Sequence, residues 1–369
     1  MVRVLGIDPG TKSMDLCGLE DGRVVFERSI ETVDVARDPE ILIEEIKDFG
    51  DVDLITGPSG YGIEITRLSD IPKDVLEDWY YRYILLTTKE DIEKGIERGF
   101  VGACIYYSMT KTVIRMRDED LPVVFIPGVI NLPTVPDFRK VNKVDMGTAD
   151  KMCVTVLGVY DQSKRLKISY SDVSFILVEM GFGYNAVIGV EGGKIVDGFG
   201  GTTMLGPGFL TMSYVDQEVV QLARGWEKSD IFVGGCSTIS GRDVPEDFVR
   251  CVDEDERCKL AWDAMFDGIE KAVAAMTVSV NPKEILLSGR LVRIDRIYDE
   301  LVKRLSRFAP VRKIGNLEGA RITKETSQGY AMVADGLAGG RFKDLIGWME
   351  IDKAKGTCLD YIYHPKVKR

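Results

Sequence analysis

The 369-residue chain carries 48 basic and 59 acidic residues, a net charge of −11, with 45% hydrophobic and 29% charged side chains. This is ordinary globular composition, long enough for two domains, and its acidity and lack of a basic stripe exclude a typical sequence-independent nucleic-acid binder. No apolar run nears the ~20 residues of a membrane span; the seven scattered cysteines contain no C-x-x-C pair, and a single histidine, His364, rules out a histidine-cluster metal site within one chain.

The short apolar start stops at Asp8, which argues against a secretory signal. With no disulfide framework or zinc ribbon indicated, a reducing cytoplasm is the expected home. Val4 to Ile7 reads as a buried strand ending at Asp8, followed by the turn Pro9-Gly10-Thr11-Lys12 and a second strand. Asp21-Gly22 suits a two-residue hairpin, and Arg23 to Ile30 forms a third strand. Next come a helix over Pro39 to Phe49, a strand over Asp53 to Thr56, a helix over Asp91 to Thr112 and a strand over Leu121 to Ile126. Asp145 or Thr148 opens a helix that continues through Val156.

The opening pattern then repeats at a shift of 171 residues: Gly181 falls on Gly10, Gly189 on Gly18, Glu191 on Glu20 and Gly193 on Gly22, with Glu179 on Asp8 and Phe175 to Val178 on Val4 to Ile7. Gly192-Gly193 supplies the second hairpin turn and Lys194 to Asp197 the third strand. Beyond it lie a long helix over Glu256 to Val278, a strand over Glu284 to Leu287, a helix over Ile294 to Phe308, a strand over Val311 to Ile314, and a helix over Thr326 to Leu337 closed by Gly339-Gly340. A meander followed by alternating helix and strand, twice over, predicts an α/β protein of two duplicated lobes with a cleft between them. The expected lobes are residues 1–168 and 169–340, with 341–369 returning to the first and a helix and basic tail over Gly347 to Arg369.

A strand that ends in an acid and turns through glycine places backbone N–H groups around an anion. The acid beside that nest would repel a bare phosphate, and makes sense if it holds a divalent cation, directly or through water. Asp8 with Gly10, Thr11 and Lys12, and Glu179 with Gly181 and Gly183, form such a pair. Two of them on opposite lobes would grip a polyphosphate from both sides.

These features resemble the superfamily of acetate and sugar kinases, heat-shock chaperones and actin, whose two ribonuclease-H-like lobes hold nucleotide between paired phosphate loops. Val4 to Asp15 resembles the first loop, Leu177 to Asp197 the second, and Glu284-Ile285-Leu286-Leu287-Ser288-Gly289-Arg290 the adenosine motif. Within it, Asp53 to Gly62 (DLITGPSGYG) and Val178 to Gly201 are most similar to butyrate kinase and to an archaeal family of predicted butyrate kinases, with Val135 to Cys153 as the linking segment. The resemblance implies ATP and Mg²⁺ as cofactors, transfer of the γ-phosphoryl to a small acceptor, foremost a short-chain carboxylate, and a homodimer. Carboxylate kinases of this group carry histidines in these loops; here Gly, Glu and Thr stand in their place.

The expected nucleotide contacts are Gly10, Thr11, Lys12, Gly181, Gly183, Asn185, Ser288, Gly289 and Arg290, with Asp8, Glu179 and Asp197 as metal ligands. Asp150-Lys151 resembles the acid–base pair of type III pantothenate kinases, so Asp150 or Asp145 is a candidate base or metal-shell ligand. Arg67 and Arg139 are candidates for a substrate carboxylate, which a guanidinium matches in a bidentate way. Two other classes stay open: a nucleotide-switched binding protein of the actin or chaperone type, and a kinase for a hydroxyl acceptor.

Overall fold

A computed structural model describes residues 1–99 and 101–367. Both hairpin turns have left-handed backbone at both central residues, Asp21 and Gly22 at φ 47° and 72°, Gly192 and Gly193 at 60° and 69°. That geometry matches the twist of the flanking strands, so each half opens on a meander. In the first half β1 (Arg3–Pro9), β2 (Ser13–Glu20) and β3 (Arg23–Glu31) pair antiparallel. Parallel strands β4 (Leu54–Thr56) and β6 (Val123–Phe125) extend the sheet, and β5 (Thr66–Arg67) closes its edge, giving the order β3-β2-β1-β4-β6-β5.

The second half repeats the plan. β7 (Phe175–Met180), β8 (Asn185–Glu191) and β9 (Lys194–Phe199) form the meander, and β10 (Glu284–Ser288) and β11 (Val311–Lys313) extend it in parallel. The duplication reaches a shared irregularity. The β2–β3 register slips between Gly18 and Leu19, and the β8–β9 register between Gly189 and Val190, again 171 positions apart. At each slip a glycine lies under the end of a helix: a Cβ on Gly18 would stand 2.6 Å from the Phe49 ring, and one on Gly189 2.5 Å from the Met276 sulfur. The glycine is needed for the packing that seats the helix on the meander.

Each sheet is covered on both faces, which explains why its central strands read as unbroken apolar runs. In β7, Ile176 and Val178 face the Glu256–Met276 and Asp295–Leu305 helices, while Phe175 and Leu177 face a central layer. That layer holds two helices, Ala149–Leu166 and Glu325–Leu337. The second seats its backbone directly on the first sheet: Thr56 Oγ1 donates to the Tyr330 carbonyl at 2.9 Å, and a Cβ on Gly6 would lie 2.7 Å from that carbonyl carbon. The first packs Gly158 against Phe175 and Leu286 of the second sheet. The connecting helices therefore cross between the halves and clamp the strand ends into fixed relation.

Some expectations are corrected. The helix expected over Asp91 to Thr112 is two, Lys89–Glu97 and Val101–Asp118, because Gly99 turns the chain at φ 76°. Phe100 lies outside the described residues. Where no disulfide framework is expected, Cys251 and Cys258 are bonded, since the Pro245–Cys251 helix ends just as Glu256–Met276 begins. At the C-terminus, the expected helix is only a 3₁₀ turn, Ile351–Lys353, after the Lys343–Trp348 helix. The chain beyond runs as a strap, with the Gly356 carbonyl accepting from Glu64 N and Asn131 Nδ2, each at 3.0 Å. Lys368 and Arg369 of the expected basic tail lie outside the described residues. No described helix is long and apolar enough to cross a membrane.

Candidate active site

A cleft of about 560 Å³ opens where β1 and β7 end. The two glycine turns face each other across it: a Cβ on Gly183 would stand 3.6 Å from Thr11 Oγ1. Gly10 has no room for a side chain, since its Cβ would lie 2.7 Å from the Ser13 carbonyl oxygen. Asp8 and Glu179, the strand-end acids, are buried at 3% and 4% exposure on the two sides of the cleft.

Each acid is held by a lysine from a crossing helix or its start. Lys324 Nζ lies 2.8 Å from Asp8 Oδ2 and 3.8 Å from Asp15 Oδ2, and donates to the Ser13 carbonyl. Its own backbone N–H donates to Asp15 at 3.0 Å. The loop before it is pinned by Glu27, which accepts the N–H groups of Arg321, Ile322 and Thr323. Lys151 Nζ bridges Asp150 at 2.5 Å and Glu179 Oε2 at 2.9 Å.

Burial pushes the Asp8 carboxyl above its usual range; Lys324 pulls it back, and Asp150 and Asp15 push it up again. Burial likewise raises Glu179, opposed by Lys151 and reinforced by Asp150 and Asp8. For Asp150 burial is outweighed: Lys151, then the Thr148 hydroxyl, hold it below the usual carboxylate range. Three carboxylates thus sense one another across the cleft, two of them raised by burial and one lowered by its lysine.

Of the residues expected at a site, Gly10, Thr11, Lys12, Gly181, Gly183, Gly289 and Arg290 line this cleft, as do Asp8, Asp145, Asp150 and Glu179. Arg290 reaches back to the first half, donating to Ser13 Oγ at 3.2 Å. Gly289, at φ 100°, leaves no space for a Cβ, which would lie 2.8 Å from Glu179 Oε1. Asp145 is a structural latch: its carboxylate accepts the N–H groups of Gly147 and Thr202, both at 3.0 Å, and the Thr202 hydroxyl.

Five expected residues lie elsewhere. Arg67 is exposed on the edge strand β5. Arg139 donates to the Val196 carbonyl and pairs with Asp197 at 3.5 Å. Asp197 also accepts from Ser279 Oγ, so this acid and base staple the linking segment to the second meander. Asn185 is wholly buried in β8, its amide directed at the Pro207 carbonyl 3.4 Å away, and Ser288 is buried at the end of β10. Asn185, Ser288 and Asp197 stand close to glycines in sequence, but side-chain direction takes them out of the cleft; Arg67 and Arg139 are candidates on guanidinium chemistry alone.

Sequence reasoning missed Lys324, Glu325 and Lys228. No local signal marks Lys324, whose partner Asp8 sits on a strand at the opposite end of the chain. Glu325 Oε2 is buried without a hydrogen bond, 3.5 Å from Arg293.

A polyphosphate fits this cradle: facing glycine turns without Cβ atoms, with Lys12 and Arg290 at the rim. A hard dication fits also, since Asp8 and Glu179 repel each other and a shared positive charge would relieve both. No group of three ligating side chains converges among the described residues, so the ion would keep several waters and lean on phosphate oxygens, as Mg²⁺ commonly does.

A family model of proteins of unknown function, DUF1464, matches residues 6–364. The chain belongs to that family. No curated protein matches its sequence. Among solved structures, this DUF1464 member is similar to a propionate kinase from Francisella tularensis subsp. tularensis, at 13% identity and a TM-score of 0.60 over 90% of this chain and 98% of the other. It is also similar to Porphyromonas gingivalis acetate kinase (13%, 0.58, over 90% and 99%) and to Entamoeba histolytica acetate kinase (12%, 0.55, over 83% and 86%). At these identities the likeness is one of fold: the chain has the two-lobed architecture of the acetate and propionate kinases.

Proposed function

We propose that the protein is a Mg²⁺- and ATP-dependent phosphotransferase whose acceptor is a small carboxylate, in the manner of butyrate kinase. The observation that carries this reading is the pair of glycine turns, 171 residues apart in sequence, brought face to face with a buried acid beside each. Phosphoryl transfer asks for positioning and charge neutralisation more than for covalent chemistry. The turn N–H groups other than those of Gly10 and Gly181, which donate to the Asp8 and Tyr184 carbonyls, would hold the phosphates together with Lys12 and Arg290, and Asp8 and Glu179 would hold the hydrated Mg²⁺, which supplies charge neutralisation when bound.

The acceptor oxygen attacks the γ-phosphorus, the bond to the β-bridging oxygen breaks, and ADP leaves with that electron pair. An ionised carboxylate brings no proton to remove. This agrees with Asp150, which Lys151 and Thr148 hold as a weak base; a hydroxyl acceptor would need a stronger one. The structural likeness to propionate and acetate kinases supports the same acceptor class.

Calorimetry of Mg·ATP with the native protein and with Asp8→Asn is the test, followed by trapping of acyl phosphate as hydroxamate across a carboxylate panel. Saturable binding that weakens in the variant, with hydroxamate formed, is expected. Absence of nucleotide binding at millimolar concentration would end the reading. Binding with an ATP-dependent change in a partner and no phosphorylated acceptor would favour a nucleotide-switched binding protein.

A further inference from the structure

Beyond the glycine turns the cleft continues into a chamber with apolar walls. Ile84 from the π-helical turn Tyr80–Ile84, Ile92 from the Lys89–Glu97 helix, and Ile105 and Met109 from the Val101–Asp118 helix line one side, all buried. Phe232 faces them from the 3₁₀ turn Lys228–Phe232, its ring 5.8 Å from both Tyr106 and Tyr184.

Among the described residues five lysines line the cleft, and four are paired with carboxylates: Lys12 with Glu31, Lys94 with Glu90, Lys151 with Asp150 and Glu179, and Lys324 with Asp8. The fifth, Lys228, is not. Its ammonium lies 4.8 Å from the Tyr61 ring centre and 5.7 Å from that of Tyr106, and among the described residues its one hydrogen bond is to the Tyr61 hydroxyl at 3.4 Å. The residue is half-buried, and two aromatic faces stand where the other four lysines have a carboxylate. Burial accordingly lowers its pKa to about 8, against small opposing pulls from Cys358 and Asp145. A cation left without a paired carboxylate, beside isoleucine and methionine walls, is a site shaped for an anion carried on an apolar body.

We infer that Lys228 receives the carboxylate of the acceptor, and that the isoleucine and methionine walls select an acid with an extended aliphatic or aryl body. The inference rests on the phosphotransferase reading for the transfer step alone; the binding of the acid stands without it. Lys228 holds one carboxylate oxygen and leaves the other free to attack. It takes the place expected of Arg67 and Arg139, which lie outside the cleft.

The experiment titrates 4-methylpentanoate and 3-phenylpropionate, and their neutral amides, into the native protein, Lys228→Met and Lys228→Arg, with Mg·ATP titrated into each. Both acids should bind the native protein at least tenfold more tightly than their amides. Lys228→Met should lose that discrimination, Lys228→Arg should recover part of it, and Mg·ATP affinity should stay the same in all three. Labelling of Lys228 in the unmutated protein by trinitrobenzenesulfonate, slowed at least fivefold by saturating acid, reports the same contact without a substitution. Equal acid affinity in native protein and Lys228→Met, or labelling that acid does not slow, overturns the inference. Acid binding that depends on Lys228 in a protein that fails to bind Mg·ATP upholds the anion site and sinks the phosphotransferase reading instead.

Discussion

Replacing Lys324 with methionine removes the cation that Asp8 and Asp15 share. Both acids are almost wholly buried, at 3% and 1% exposure, and the ammonium stands 2.8 Å from the first and 3.8 Å from the second. Taking one partner from a buried ion pair costs about 3–5 kcal/mol, because the remaining charge has no water to return to. Unfolding entropy of roughly 2.1 cal/mol/K per residue amounts to about 0.8 kcal/mol/K for a chain of this length, so the melting temperature should fall by about 4–6 °C at pH 8.

The dependence on pH carries a sign. The Asp8 carboxyl is already raised in the fold, and Lys324 is what pulls it down. Without Lys324 it rises further, so the folded variant binds a proton that the unfolded chain has released above pH 4. A group that binds more protons folded than unfolded loses its contribution to stability as pH rises. The deficit of Lys324→Met should therefore be smallest near pH 5 and grow toward pH 8. Asp8→Asn in the same background removes the orphaned charge and should recover a large part of the loss. Scanning calorimetry of the four proteins at both pH values measures the cycle. A fall of under about 1 °C at pH 8, or losses that simply add in the double variant, would refute the claim that this pair supports the first turn.

Two other substitutions probe the frame around the cleft. Gly6→Ala drives a methyl group into the backbone of the Glu325–Leu337 helix, 2.7 Å from the Tyr330 carbonyl carbon; backbone cannot step aside as a side chain can, so denaturant unfolding should show a loss of at least about 1–3 kcal/mol, and a neutral result would mean the helix does not seat there. Replacing Cys251 and Cys258 with serine opens a loop of separation 7, which by chain entropy should cost about 2.5 kcal/mol in chemical unfolding, while Mg·ATP affinity stays unchanged because neither cysteine lines the cleft.

What the sequence determined by itself was local or periodic. The unbroken apolar runs of β1 and β7 announced strands covered on both faces, Asp21-Gly22 and Gly192-Gly193 announced hairpins, and the 171-residue repeat announced two halves with matching acid-and-glycine turns. These arise from backbone preferences and hydrophobic spacing over a few residues, which need no knowledge of the rest of the chain. The disulfide escaped notice because it depends on one helix ending where the next begins. The split at Gly99 escaped because a helical periodicity spans it.

Tertiary structure alone decided which charged groups pair with one another in the cleft. Lys324 meets Asp8 only because the Glu325–Leu337 helix crosses to the first sheet, and Lys228 lacks a carboxylate only because its turn docks against Tyr61 and Tyr106. Arg139 and Asp197 satisfy each other outside the cleft, though both stand in the segments that resembled a kinase. Partnerships between residues hundreds of positions apart are set by how helices pack between two sheets, and pattern along the chain carries no record of that packing.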